Sequence, residues 1–329
     1  MVPPELDTSQ VSWLSITEAN AGQRLDNFLL STLKGVPKTL IYRIIRKGEV
    51  RVNKKRAKAD TRLQDGDQLR IPPLRLPQRG ETPPVSTVLR DKLDGAIVYE
   101  DEALLVVNKP SGLAVHGGSG VSLGMIEALR KMRPQHQFLE LVHRLDRDTS
   151  GLVLVAKKRK ALTVLQRMLA DKQGIGKFYL ALVHGQWPQV KSVDLPLLRT
   201  ERQSGERVVR VSDEGKSALT RYRFISSGGH YSLVQAEPVT GRTHQIRVHC
   251  LTQSCTIAGD VKYRDVAEQS VDEKHKVARL CLHAWRLVFR HPLSGEWLDL
   301  QAWPDAELGA YLGRLSGGDG WRQQLEEWL

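Results

Sequence analysis

The stretch from Pro72 to Val88, PPLRLPQRGETPPVSTV, constrains this chain more than any other segment, with five prolines in 17 residues. Each proline removes a backbone donor and fixes φ, so neither a helix nor a central sheet ladder runs through it. It reads as a linker between two separate cores, the alternative being a long surface loop inside one domain. The prolines also stiffen the connection into an extended spacer. A flexible lead-in is expected over residues 1–20, a small domain over 21–73, a linker over 74–92 and a large domain over 93–329. The length of 329 residues fits two domains on size alone.

In the small domain, Leu25, Phe28, Leu29 and Leu33 recur at helical spacing, and Gly35 ends the run. A second helix over residues 37–47 turns Leu40, Ile44 and Ile45 towards a core and stops at Gly48. Strand signals follow at Val50 and Val52 and at residues 68–71, the latter launched by the Gly66-Asp67 turn. Between residues 35 and 62 stand ten Lys and Arg against Glu49 and Asp60, a net +8 within 28 residues. That is two thirds of the +12 carried by the whole chain. So dense a patch repels itself, which points to a polyanionic partner. Arg43, Arg46, Lys47, Lys54, Lys55 and Arg56 are its candidate phosphate contacts.

The large domain alternates short strand signals (96–99, 104–108, 152–156, 178–183, 231–236, 287–289, 297–300) with helical runs at 123–132, 161–172 and 243–251. Terminal helices are expected at 308–315 and 321–329. Short turns such as His291–Gly295 join consecutive strands. The pattern argues for an α+β fold, a mixed and mostly antiparallel sheet flanked by helices.

Several classes are disfavoured. No apolar run reaches membrane-spanning length and the polar N-terminus is no signal peptide, so a cytoplasmic, membrane-free protein is expected, and a monomer because no extra apolar face is evident. Three cysteines, Cys250, Cys255 and Cys281, suit free thiols in a reducing compartment. Neither H-E-x-x-H nor C-x-x-C occurs, and phosphate-binding P-loop, dinucleotide and G-x-S-x-G patterns are missing. Gly117-Gly118-Ser119-Gly120 lacks the context of a nucleotide cradle. The expectation is a reaction with no metal and no cofactor.

Two constellations remain. His143-Arg144-Leu145-Asp146-Arg147-Asp148-Thr149-Ser150-Gly151 places five potentially charged groups in six residues just ahead of an apolar strand. It reads either as a salt-bridged surface loop or as a carboxylate poised among cations, able to act as nucleophile or base. Thr240-Gly241-Arg242-Thr243-His244-Gln245-Ile246-Arg247-Val248-His249 reads as a basic amphipathic helix capped by Thr240. On that phase Arg242 is the residue offered to an active-site carboxylate.

The run HRLDRDTSG at 143–151 resembles the signature of the pseudouridine synthases that modify ribosomal and transfer RNA. The likeness continues through Asn108-Lys109-Pro110-Ser111-Gly112, Lys177-Phe178-Tyr179, Gly241–His249 and Leu282-His283-Ala284. Residues 21–72 resemble the S4-like RNA-binding module, through Arg24-Leu25-Asp26, the Gly48–Asn53 stretch and Gly66-Asp67. Together they cover nearly the whole chain, most closely in the manner of the bacterial large-subunit, type C members. One departure is Arg264, where the family often has glycine.

The resemblance implies Asp146 as catalytic carboxylate, Tyr179 stacking on the base, Arg242 pairing with Asp146, and Arg144 filling the space left by a flipped uridine. It also implies 23S rRNA or a large-subunit assembly particle as partner. Alternatives left open are a related synthase acting on other 23S rRNA or transfer RNA uridines, and a catalytically silent RNA-binding assembly factor.

Overall fold

The computed structural model describes residues 10–33, 36–74, 84–117, 123–201, 206–315, 317–318 and 320–327. Gly35, the Gly118–Gly120 run and most of the proline-rich stretch lie outside these residues.

The N-terminal unit runs β1 (Ser12–Ser15), α1 (Leu25–Thr32), α2 (Lys38–Lys47), β2 (Arg51–Val52), β3 (Lys55–Arg56) and β4 (Gln68–Ile71). Its strands form an antiparallel sheet of order β1-β4-β2-β3. The apolar periodicity does what it predicts for Leu25, Leu29, Ile44, Ile45, Val50, Leu69 and Ile71, all buried in one cluster, while Ile41 takes the core place expected of Leu40, which is only partly buried. Gly48, at φ 72°, closes α2 in the left-handed conformation. Asn53 and Lys54 both take positive φ, as a two-residue turn between β2 and β3 requires. The expected lead-in over residues 1–20 needs correction, because Ser12–Ser15 pairs with β4 along its full length. Residues 1–9 lie outside the described chain.

The large unit begins earlier than expected. Ser86, inside the expected linker, accepts a hydrogen bond from Leu89 N at 3.2 Å and caps α3 (Thr87–Asp94). Leu93 is buried in the main core, with Val85 and Leu89 packed on it. Then follow β5 (Ile97–Glu100), β6 (Leu104–Lys109), α4 (Met125–Met132), β7 (Glu140–Leu141), β8 (Ser150–Ala156), α5 (Arg159–Asp171) and β9 (Ile175–His184). Next come β10 (Ser192–Asp194), β11 (Leu197–Glu201), β12 (Arg207–Val211), β13 (Leu219–Gly228), β14 (Tyr231–Pro238), α6 (Gln245–Leu251) and α7 (Val266–Lys274). The chain ends on β15 (Leu282–Arg290), β16 (Trp297–Gln301), α8 (Ala306–Leu315) and α9 (Gly320–Glu326).

Ten of these strands form one sheet, with main order β10-β13-β14-β9-β15-β8-β6-β5. All its pairings are antiparallel except β15 with β8. At that parallel contact His283 and Ala284 of β15 lie beside Ser150 and Gly151 of β8. Gly151 sits at φ 111°, and a Cβ there would stand 2.2 Å from Ala284 O. Only glycine lets the polar loop ahead of β8 enter the sheet so close to its neighbour. The two units touch through Arg159, which donates to Ala19 O at 3.1 Å and to Gln23 Oε1 at 2.7 Å.

Candidate active site

Most of the polar run 143–151 forms the loop between β7 and β8, and its last two residues, Ser150 and Gly151, open β8. Leu145 drops into the main core, which leaves Arg144 exposed and Asp146 partly exposed on either side of it. The loop is fastened from below. Lys109, with no exposed surface, points its ammonium at three carbonyls: Pro110 O at 3.0 Å, Leu113 O at 2.8 Å and Arg147 O at 2.9 Å. Ser111 Oγ donates to Asp148 O at 2.7 Å, and Thr149 N donates to Asp146 O at 3.2 Å. His143 Nε2 accepts Leu154 N–H at 3.2 Å. Burial pulls its pKa down to about 3. Arg147 pairs outward with Asp148 at 3.0 Å. The loop is thus partly a salt-bridged surface loop and partly a built cradle, with Asp146 held over a cavity of about 440 Å³.

The opposite wall comes from the 240–247 run, and here one expectation fails. Thr240 does not cap a helix. Gln245 fastens this turn instead, donating to Leu219 O and Thr220 Oγ1, each at 2.9 Å, and accepting from Thr240 Oγ1 at 2.7 Å and Arg242 N at 3.0 Å. The helix α6 starts only at Gln245, so its phase differs from the sequence reading. Arg242 lies before it, exposed at the cavity rim, and its Nε donates to Ser217 O at 3.1 Å. The cation facing Asp146 is Arg247, with Nη1 at 3.7 Å from Asp146 Oδ2. The expected Arg242–Asp146 pair is therefore replaced by Arg247–Asp146.

Arg247 is held tightly. Asp260 takes it in a fork, Nε to Oδ2 and Nη2 to Oδ1, both at 2.7 Å. The Tyr263 ring lies under its guanidinium, 5.1 Å from centroid to Cζ. Burial works against the Arg247 charge, but the bond to Asp260 and the charges of Asp260 and Asp146 hold its pKa above the ordinary value. Next to it, His244 sits at φ 52°, a left-handed conformation unusual for a side-chain-bearing residue. It shares a 2.6 Å hydrogen bond with the Tyr263 hydroxyl and stands 3.8 Å from Asp146. Burial lowers the His244 pKa to about 4 despite Asp146, which leaves the imidazole neutral near pH 7. The positive charge opposite the carboxylate accordingly comes from arginine.

Tyr179 rises from the middle of β9, between β14 and β15, and lines the cavity, the residue being 8% exposed. Burial first, then the Asp146 charge, pushes its hydroxyl pKa well up, so it stays protonated. Lys177, two residues earlier on the same strand face, lines the same cavity, and burial lowers its pKa. The structure thus brings Arg144, Asp146, Tyr179 and Arg242 to one cavity. The sequence reading missed Arg247, His244, Asp260 and Tyr263 as members of this set. Arg247 stood in the run already singled out, and only the helix phase concealed it. Asp260 and Tyr263 follow in a loop with no periodicity to mark them. The six basic residues Arg43, Arg46, Lys47, Lys54, Lys55 and Arg56 are exposed on α2 and the β2–β3 hairpin of the N-terminal unit.

An acidic group, a neutral phenol and a clamped arginine therefore surround one cleft, and a wide basic surface lies on a separate small domain. Comparison with known proteins accounts for both parts. Residues 103–252 match the family described as RNA pseudouridylate synthase, and residues 23–69 match the S4 domain. The ribosomal large subunit pseudouridine synthase C of Pasteurella multocida is 54% identical over 93% of this chain and 94% of its own length. The enzyme of the same name from Escherichia coli strain K12 is 52% identical over 94% of this chain and 98% of its own. Among solved structures, human RNA pseudouridylate synthase domain containing 4 superposes with a TM-score of 0.57 at 29% identity, covering 70% of this chain and 98% of that one. The chain belongs to the RNA pseudouridylate synthases, in the large-subunit, type C group whose catalytic body follows an S4 domain.

Proposed function

We propose that this enzyme isomerises uridines of large-subunit, 23S ribosomal RNA to pseudouridine, with Asp146 as the catalytic carboxylate. The observation that carries the site assignment is the position of Asp146 over the cavity, 3.7 Å from a clamped Arg247 and on the same cavity as Tyr179. The substrate assignment rests on relatives named for the ribosomal large subunit that align over nearly the whole chain.

The reaction breaks the N1–C1′ glycosidic bond, turns the uracil in the pocket and forms a C5–C1′ bond. The C5 proton leaves and N1 takes up a proton, so the RNA keeps its mass. A uridine in folded RNA must first leave its stack, at a cost of a few kcal/mol. Arg144, exposed at the rim beside Asp146, is placed to fill the vacated space with its planar cationic group. Tyr179 supplies a flat, protonated face for the base. Arg247 balances the Asp146 charge and, because Asp260 fixes its plane, does so without reorganising during the reaction. Arg242 at the rim is better placed for the RNA backbone than for the carboxylate. Exposed Arg43, Arg46, Lys47, Lys54, Lys55 and Arg56 add phosphate contacts that raise affinity and carry little sequence information.

Tritium release from 23S rRNA labelled at uridine C5 tests this reading. The wild-type protein should release label without freeing uracil, and Asp146→Ala should release none. Free uracil in the product would make the protein a nucleobase hydrolase, and label release by Asp146→Ala would remove the carboxylate from the mechanism.

A further inference from the structure

The outer face of the N-terminal sheet carries a feature that the catalytic cleft does not use. Strand alternation turns Leu69, Ile71 and Val52 inward and leaves the opposite face to Trp13, Arg70, Arg51 and Arg56. The register sets these four side by side across all four strands: Trp13 opposite Arg70, Arg70 opposite Arg51, and Arg51 opposite Arg56. Like charges directly opposite one another destabilise a sheet.

Neutral groups hold this row together. Arg56 donates to Lys47 O at 2.9 Å, Arg51 to Gly48 O at 3.3 Å and Arg70 to Glu49 O at 2.7 Å. Those three carbonyls follow one another at the C-terminal end of α2, where the helix dipole favours cations. Gly48 makes room, since a Cβ there would fall 2.2 Å from Arg56 Nε. Among the described residues no carboxylate pairs with Arg51, Arg56 or Arg70. Each guanidinium has five donors and uses one in these contacts, so most of its hydrogen-bonding capacity is left for an anion.

Trp13 stands at the end of the row, 50% exposed. It borders a groove of about 420 Å³ lined also by Asn53, Lys54 and Gln68. The groove floor is fixed by a closed set of bonds: Asn53 N to Gln68 O at 2.8 Å, Gln68 N to Asn53 Oδ1 at 2.8 Å and Gln68 Nε2 to Ser15 Oγ at 2.9 Å. A large exposed ring, a rigid polar floor, and cations on two sides are the ingredients of single-strand nucleic-acid binding.

We propose that this face is a single-strand RNA subsite adjoining the basic surface of the module, in which an unpaired base stacks on Trp13 while Arg70 and Arg51, together with Lys54 and Arg56 shared with that surface, hold the adjoining phosphates. The site would engage a single-stranded segment of the substrate RNA at a distance from the reacting uridine. The proposal rests on the reading that the substrate is RNA. Trp13 precedes the matched S4 segment, and the row runs across the sheet instead of along the exposed face of α2.

The test is binding of the full-length protein to a labelled single-stranded oligouridylate and to an RNA duplex of equal length. Trp13→Ala should weaken single-strand binding by about 5- to 150-fold, the range that loss of one base–aromatic stack gives. It should leave the salt dependence and the duplex affinity unchanged, and Trp13→Phe should restore most of the loss. Arg70→Gln should flatten the log–log salt slope by about 0.7. Single-strand affinity within twofold of wild type for Trp13→Ala, or an unchanged slope for Arg70→Gln, would overturn the site. Turnover at saturating 23S rRNA separates this from the catalytic reading. Trp13→Ala should keep the wild-type kcat, whereas wild-type protein that releases no label at all contradicts the proposed activity itself.

Discussion

Replacing Arg247 together with its partner, as Arg247→Gln with Asp260→Asn, removes the cation opposite Asp146 without leaving a buried charge behind. The single change Arg247→Gln is a poor probe, because Asp260 is 1% exposed and would lose its counter-ion. Breaking a buried pair in that way costs about 3–5 kcal/mol. At the observed 3.7 Å, unit charges attract by about 4.5 kcal/mol for an effective dielectric of about 20. The Asp146 side chain is 23% exposed, and solvent screens part of that attraction. Removing a fixed, charge-stabilising group at a reacting centre costs about 2.7–4 kcal/mol, or about 10²- to 10³-fold in kcat. The double variant should therefore fold and lose about 10²- to 10³-fold in single-turnover label release. Arg242→Gln gives up a rim hydrogen bond to Ser217 and a contact with the RNA backbone, so it should raise KM and change kcat by about tenfold at most. Circular dichroism melting would confirm folding in both. If Arg242→Gln loses more activity than the double variant, the assignment of Arg247 as the carboxylate's partner is wrong.

The same geometry sets three further outcomes. Gly151→Ala puts a Cβ 2.2 Å from the backbone oxygen of Ala284 at a φ of 111°, which no side-chain rotation relieves. It should cost about 1–3 kcal/mol or more, seen as a fall in Tm, and an unchanged Tm would show that the loop enters the sheet differently. Arg264→Gly removes the 2.7 Å bond to fully buried Asp272 and should cost about 2 kcal/mol with the RNA KM unchanged. A shifted KM with an unchanged Tm would contradict that. His143, His244 and His283 have pKa values pulled down by burial to about 3, 4 and 4. The unfolded chain binds these protons near pH 6.5 and the folded chain only at lower pH. Stability should thus be full above about pH 6.5 and fall as pH drops towards 4, by up to about 1.4 kcal/mol per unit per group. Urea midpoints that stay level or rise on acidification across that window would refute the neutral, buried state of these rings.

Much of this was legible in the residues themselves. The apolar spacing of Leu25, Leu29, Ile44 and Ile45 marks the N-terminal helices because both bury one stripe against a small sheet. The strand at residues 68–71 follows from the turn before it, and the apolar run at 152–156 follows from burial on both faces. The strand β13 was harder to read, since Arg221 and Arg223 alternate with its buried positions and a register shift at Phe224/Ser226 breaks the period. Strand β1 and helix α3 were missed for a related reason. Strand β1 has only four residues beside a polar segment, and α3 starts inside the proline-rich stretch, so each forms because a neighbour pairs with it or caps it. In the site, the density of charge over residues 143–148 marks the loop, and the family resemblance picks Asp146 from it. Its partner is not so marked, because Gln245, not Thr240, fixes where α6 begins, and one such shift moves the carboxylate-facing position from Arg242 to Arg247. Asp260 and Tyr263 act only through tertiary contact, and nothing local announces them.

Pseudouridine mapping of 23S rRNA by carbodiimide-dependent reverse-transcription stops, after incubation with wild-type protein or Asp146→Asn, tests the central claim most directly. Asn keeps the size of the side chain and removes its charge and nucleophilicity, so Arg247 and the loop should stay in place. Discrete stops with the wild type and none with Asp146→Asn are the predicted result. Equal stops with both proteins, or none with either while RNA binding is intact, would contradict it.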